Sequence, residues 1–229
     1  MENGKESVLL VLKLKQHYKL DIKIDHIRLN NLPEIAQLYE DTFWDHFLGH
    51  MGQKFLKLFC SQFINSPSNY GYVAKCNGKP VGFLFGTIDD EPFYHFYRQN
   101  FITLSLIVMK KYLMDPYVRK HITQRLGNIL VALKALLPFS KRVSSANQDN
   151  KFEPARLLAI GVDSKYRGMG IANKLTSQFC TEMKSEGIKK VGLSALAWNK
   201  RAIGFYKKDG WIQEQEGCNE TSFSFYRML

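Results

Sequence analysis

The chain has 229 residues and a mass of 26.5 kDa, the size of one large domain. Hydrophobic residues make up 45% and charged residues 23%, which excludes a disordered chain; 16 Gly and 7 Pro are too few for a collagen-like or low-complexity one. A net charge of +11 and a pI near 9.4 favour polyanionic partners: nucleic acid, an anionic membrane surface or a polyphosphate ligand.

Cys60, Cys76, Cys180 and Cys218 are scattered, with no Cys-x-x-Cys pair. Free thiols in a reducing compartment are expected, and no metal site. No apolar run approaches the roughly 18 residues of a membrane span. The segment from Met1 to Ser7 lacks a net positive charge, and Lys13 and Lys15 cut the apolar run that starts at Val8. No signal peptide is therefore expected, and the expected location is cytoplasmic.

In chain order, residues 1–20 read equally as helix or strand. Ile22, Ile24 and Ile27 predict a strand over 22–29. Asn30, Asn31 and Pro33 mark a helix start that Ile35, Leu38, Tyr39 and Phe43 continue. A second helix from about Gly52 carries Phe55, Leu58, Phe59 and Phe63 on one face and is broken by Ser66-Pro67. Asn77-Gly78 between Tyr70–Cys76 and Val81–Ile88 predicts a hairpin.

Residues 92–150 differ in character. Phe93, Phe96, Tyr97, Phe101, Leu104 and Val108, then Ile122, Leu126, Ile129, Leu130, Leu133 and Leu137, predict two or three amphipathic helices. From 91 to 150 there are nine Lys/Arg against Glu91, Asp115 and Asp149, a net +6. The remainder alternates: strand 155–162, helix 170–185, strand 189–196, helix 200–208, strands 211–215 and 223–227. That order predicts a partly parallel sheet.

The segment from Leu157 to Leu175 runs from an apolar strand into a polar loop, then into Arg167-Gly168-Met169-Gly170-Ile171-Ala172-Asn173 at a helix start. Glycines let backbone amides approach a ligand, and a helix N-terminus offers unpaired N–H groups to an anion such as a pyrophosphate. A Walker loop is absent, and Asn173 stands where a dinucleotide fingerprint needs its third glycine. A plain glycine turn is the other reading.

The run Arg167-Gly168-Met169-Gly170-Ile171-Ala172 resembles the acetyl-CoA motif of the GNAT N-acetyltransferase superfamily. The run from Asn199 through Ala202 and Tyr206 to Gly210-Trp211 resembles the family's second motif, with Trp211 where Phe is usual. The likeness is good over 155–228 and loose over 22–88. It implies an α/β GNAT fold as a single domain over 1–229: a mixed sheet of about six or seven strands, splayed between the fourth and fifth and flanked by helices. The insertion 92–150 would lie between the third and fourth strands, an architecture that resembles GNATs of bacterial polysaccharide gene clusters.

The resemblance implies an acyl-CoA-dependent N-acyltransferase with acetyl-CoA as cosubstrate. The acceptor would be a primary amine, such as an amino sugar or another small molecule. Arg167, Gly168, Met169, Gly170, Ile171, Ala172 and Asn173 would hold the pyrophosphate, and the backbone of Ile160, Gly161 and Val162 would pair with pantetheine. Asn199 would contact pantetheine, or cap the following helix, or both. Tyr206 would protonate the leaving thiolate, unless it is plain core.

Ser194 stands level with the fifth-strand Glu of many relatives, so the base is open. Glu153 is the leading carboxylate, His46 and His50 are further candidates, and Asp41 and Asp45 read as helix-surface charges. The same Ser194 motivates the alternative of a non-catalytic acyl-CoA sensor. Nucleic acid binding is not expected, because no recognition motif accompanies the charge. Three roles are open for the insertion: a lid or wall of the acceptor site, a basic surface on an anionic membrane, or an interface between two copies or a plain stabilising cap.

Overall fold

A computed structural model describes residues 21–64, 66–89, 93–124, 155–214 and 221–229. Seven strands form one sheet: β1 (Ile22–His26), β2 (Asn69–Cys76), β3 (Lys79–Thr87), β4 (Ala155–Val162), β5 (Lys190–Leu196), β6 (Ile212–Gln213) and β7 (Ser222–Met228). Their order is β1-β2-β3-β4-β5-β7-β6. The β4–β5 pair is parallel and its neighbours are antiparallel, the mixed sheet expected.

Helices cover both faces because the strands alternate. On β3, Leu84 joins a core with Ile171, Leu175, Phe179 and Met183 of α6 (Ile171–Ser185). Its neighbours Phe83 and Phe85 face the other way, toward α1 (Leu32–Thr42) and α2 (Gln53–Ser61). There Phe85 stacks on Phe63 at 4.2 Å between ring centroids. The residues 171, 175, 179 and 183 recur every fourth position, the spacing that gives a helix one buried stripe. The hairpin forms as expected: Asn77 (φ 50°) and Gly78 (φ 81°) both take the left-handed conformation of a two-residue turn.

The first strand is shorter than expected. Beyond His26 the chain is held by a single bond from Ile27 N to Gly71 O, and a 3-10 turn starts at Leu29. Asn31 does not cap α1 with its side chain; its Oδ1 accepts from Arg28 N at 3.0 Å. Of the strand expected over 211–215, Ile212–Gln213 is strand and Trp211 and Glu214 are not; residue 215 lies outside the described residues.

After β3 come α3 (Tyr94–Gln99), α4 (Phe101–Met114) and α5 (Pro116–Gln124). These are the helices expected for the insertion, up to residue 124; the expectations for 125–150 lie outside the described residues. The amphipathic reading fails for α4. Leu104 is buried and Ile107 and Val108 pack on the core, but Phe101 and much of the opposite face are exposed apolar side chains. The last helix, α7 (Lys200–Lys208), precedes β6.

Among the described residues, Cys60, Cys76 and Cys180 are buried free thiols. In the same set, no group of three or more His, Cys, Asp or Glu side chains is arranged to hold a metal, and no helix is long and apolar enough to cross a membrane.

Candidate active site

A cleft of about 770 Å³ opens where β4 and β5 part. The two strands pair only at Ala155–Val191, Arg156–Gly192 and Leu157–Leu193. On the other edge of β4, Leu157 pairs with Gly86 and Ala159 with Phe85, so Leu158 is the extra residue of a β-bulge. A bulge bends its strand and strengthens the twist. From Leu158 onward β4 stays on β3 through Ile160, Gly161 and Val162, and its free edge lines the cleft. Gly161 is required by the packing beneath: a Cβ there would lie 2.5 Å from Cε1 of Phe83.

One end of the cleft is the loop from β4 into α6. Asp163 Oδ1 accepts from Lys165 N at 2.9 Å and starts the turn. Gly168 (φ 76°) and Gly170 (φ 73°) are both left-handed, and a Cβ on either would meet no atom within 4 Å. Their necessity is conformational, and the space in front of them is open. Gly170 is the N-cap of α6 and has no side chain to close the first turn, so the N–H groups there retain their partial positive charge. Arg167 donates from Nε to Val162 O at 3.2 Å. Burial, and then the neighbouring charge of Arg201, lower its pKa from the ordinary arginine range. Two guanidiniums, a helix N-terminus and an open glycine turn form an environment that an anion would relieve.

The middle of the cleft is lined by Ser194, Asn199 and Tyr206. Ser194 Oγ accepts from Arg156 Nη2 at 3.0 Å, a bridge across the seam. Asn199 caps α7, accepting from Ala202 N at 3.0 Å, and lines the cleft as well. Tyr206 is 5% exposed and packs edge-on to Trp211, with ring centroids 5.9 Å apart. Burial, with a smaller contribution from the charge of Asp209, raises its pKa well above the tyrosine range, so the phenol stays protonated.

The other end is built by the turn after α1. Gly49 lets it fold on itself, since a Cβ there would overlap the Phe43 carbonyl. Asp41, Phe43, Trp44, Asp45 and His46 line this end. Asp41 lies exposed on the last turn of α1, as expected of a helix-surface charge, and lines the cleft as well; Asp45, also expected on a helix surface, sits in the turn that follows, and sequence spacing gave no sign that this turn faces the cleft. The His46 ring lies 5.4 Å from that of Trp198 across the cleft, and its Nε2 is 3.7 Å from Asp45 Oδ1. His50 points elsewhere: its Nδ1 is 3.2 Å from Asp115 and its ring stacks on Tyr117 at 4.0 Å. Tyr117 in turn donates to Asp45 O at 2.9 Å, so α5 buttresses the turn that carries His46. Glu153 lies outside the described residues.

Asp209 was not singled out by the sequence. It accepts from Thr176 Oγ1 at 2.9 Å, Trp211 Nε1 at 3.1 Å and Arg227 Nη1 at 3.3 Å, and also from Asn173 Nδ2. It thereby ties the first turns of α6 to β7.

Residues 143–211 match the model of the Acetyltransferase (GNAT) family. No curated protein sequence gives a match. Among solved structures, the chain is similar to the PaiA N-acetyltransferase of Thermoplasma acidophilum, whose crystal structure is a complex with coenzyme A. That likeness has 12% identity, covers 92% of this chain and 100% of that one, and has a TM-score of 0.54. An acetyltransferase of Thermus thermophilus gives 11% identity, 92% and 98% coverage and a TM-score of 0.53. The ribosomal-protein-S18-alanine N-acetyltransferase of Escherichia coli gives 14%, 90% and 93%, and 0.51. At these identities the likeness establishes the shared fold.

Proposed function

We propose that this chain, a GNAT-fold acetyltransferase by its topology and its 143–211 segment, transfers acetyl from acetyl-CoA directly to a primary amine. The observation that carries this reading is the free edge of β4 opening into a cleft lined also by Arg167, Gly168, Gly170 and Tyr206. Arg167 and the amides from Gly168 to Asn173 hold the pyrophosphate. The stretch Ile160, Gly161 and Val162 lines the cleft on the edge of β4 away from β3, along which pantetheine would run, with Asn199 also lining the cleft.

The cleft carries both signs of charge: Arg167 and Arg201 are among its lining residues, and so are Asp41 and Asp45. The cations suit the phosphates of the cosubstrate, and the carboxylates suit a cationic amine. A small amine such as an amino sugar fits the open end beside Trp44 and Trp198.

The ammonium gives its first proton to water, the free amine attacks the thioester carbonyl, and His46 takes the second proton that the nitrogen sheds. The new C–N bond forms as the C–S bond breaks, and Tyr206 gives its proton to the departing sulfur. Holding both reactants in one cleft supplies the proximity that direct transfer needs.

The test is CoA-thiol release from acetyl-CoA across a panel of primary amines, including amino sugars. Amine-dependent release is expected. Tight acetyl-CoA binding with no release for any amine would instead favour a non-catalytic acyl-CoA sensor.

A further inference from the structure

The outer face of α4 has no partner among the described residues. Ile102, Leu106, Met109 and Leu113 are spaced four, three and four apart, which aligns them on one side of the helix. They are 74%, 68%, 60% and 65% exposed. Single exposed apolar residues are ordinary, but a contiguous row of four is a contact surface. The helix is fixed behind this row by Leu104, Ile107 and Val108, so the exposed row is presented by a helix anchored to the core.

The surroundings of the row select its partner. From Phe93 to Met114 there is no Asp or Glu, while Arg98, Lys110 and Lys111 are present. Lys110 is exposed on α4 itself. At the C-terminal end Arg119 donates to Tyr112 O and Leu113 O, which places an exposed cation beside the last residue of the row. Asp115 is occupied by His50 and by the amides of Tyr117 and Val118. A second copy docking on this face would set these cations against one another. A basic rim around an apolar helix face is complementary to an anionic bilayer, where the side chains enter the acyl boundary and the cations meet headgroups.

We infer that α4 seats the protein on an anionic membrane surface, with Ile102, Leu106, Met109 and Leu113 inserted and Lys110 and Arg119 at the headgroups. This is independent of the reaction proposed for the cleft. α4 runs directly into α5, whose Tyr117 holds the turn carrying His46, so a seated α4 would set the acceptor end of the cleft beside the lipid surface.

The test is co-sedimentation of the full chain with vesicles of phosphatidylcholine alone and of phosphatidylcholine and phosphatidylglycerol in equal parts. Binding about tenfold or more stronger to the anionic vesicles is expected, weakening as salt is raised. The double variant Leu106→Glu, Leu113→Glu should lose that binding while keeping the wild-type melting temperature and acetyl-CoA-induced thermal shift, because both positions are exposed. Absence of sedimentation with anionic vesicles would overturn the inference. So would full binding by a folded double variant. A wild-type dimer in analytical ultracentrifugation that the double variant converts to monomer would also overturn it, since the face would then belong to a second copy.

Discussion

Asp209 accepts a hydrogen bond from Thr176 at 2.9 Å, joining the end of α7 to the second turn of α6. The same carboxylate, only 8% exposed, serves Asn173, Trp211 and Arg227. It therefore fixes where the helix N-terminus of the anion site points. Asp209→Ala leaves buried donors without an acceptor and should cost about 2–4 kcal/mol in urea unfolding. The acetyl-CoA Kd should rise as well, although Asp209 is not among the residues lining the cleft. A stability loss with unchanged Kd would show that the carboxylate braces the core alone.

Gly170→Ala tests the glycine turn. The left-handed conformation (φ 73°) makes any Cβ strained, at about 1–2 kcal/mol, while the space ahead is open. The substitution should lower stability only by that amount but weaken acetyl-CoA about tenfold or more, since the methyl group projects where a pyrophosphate must approach. Isothermal titration with acetyl-CoA and with a CoA fragment lacking the pyrophosphate separates the two effects; only the former should weaken.

Tyr206→Phe should lower kcat about 100-fold or more while leaving the acetyl-CoA thermal shift intact. Burial holds the phenol protonated well past its ordinary range. The rate of the wild-type enzyme should therefore show no alkaline fall near pH 10 from this group. A kcat for the phenylalanine variant equal to wild type would remove Tyr206 from proton transfer.

Alkaline stability follows from the same burial. Desolvation pushes the Cys60 thiol up to about 12 and the Cys180 thiol up to about 11, and raises Tyr39, Tyr70 and Tyr72 above their ordinary values. In the unfolded chain these groups ionise at lower pH, so there the native state binds more protons than the unfolded one. Their contribution is complete below the unfolded values and is lost as pH rises toward the folded ones. The melting temperature should decline steadily from about pH 9 upward. A Cys60→Ala variant should show a shallower decline.

Much of this fold was legible in local sequence. The Asn77-Gly78 turn, the fourfold spacing of Ile171 to Met183 and the run Arg167 to Ala172 each follow from short-range chemistry, and they appear where the sequence places them. The features that were not legible depend on distant partners. Leu158 becomes a bulge only because β3 sets its register. Asp209 resembles any residue of a Lys-Asp-Gly turn until Asn173 and Trp211 close around it. His46 reaches the cleft because Gly49 permits a tight turn and Tyr117, far along the chain, holds its backbone. The apolar positions of α4 suggested burial, and only packing shows that, among the described residues, one side has nothing behind it.

The seam between β4 and β5 is three residue pairs long, against six between β3 and β4 and seven between β5 and β7. A cosubstrate spanning the cleft would supply the missing rungs. Amide exchange in β5 and β7 should then slow more than in β1 and β2 once the cleft is filled.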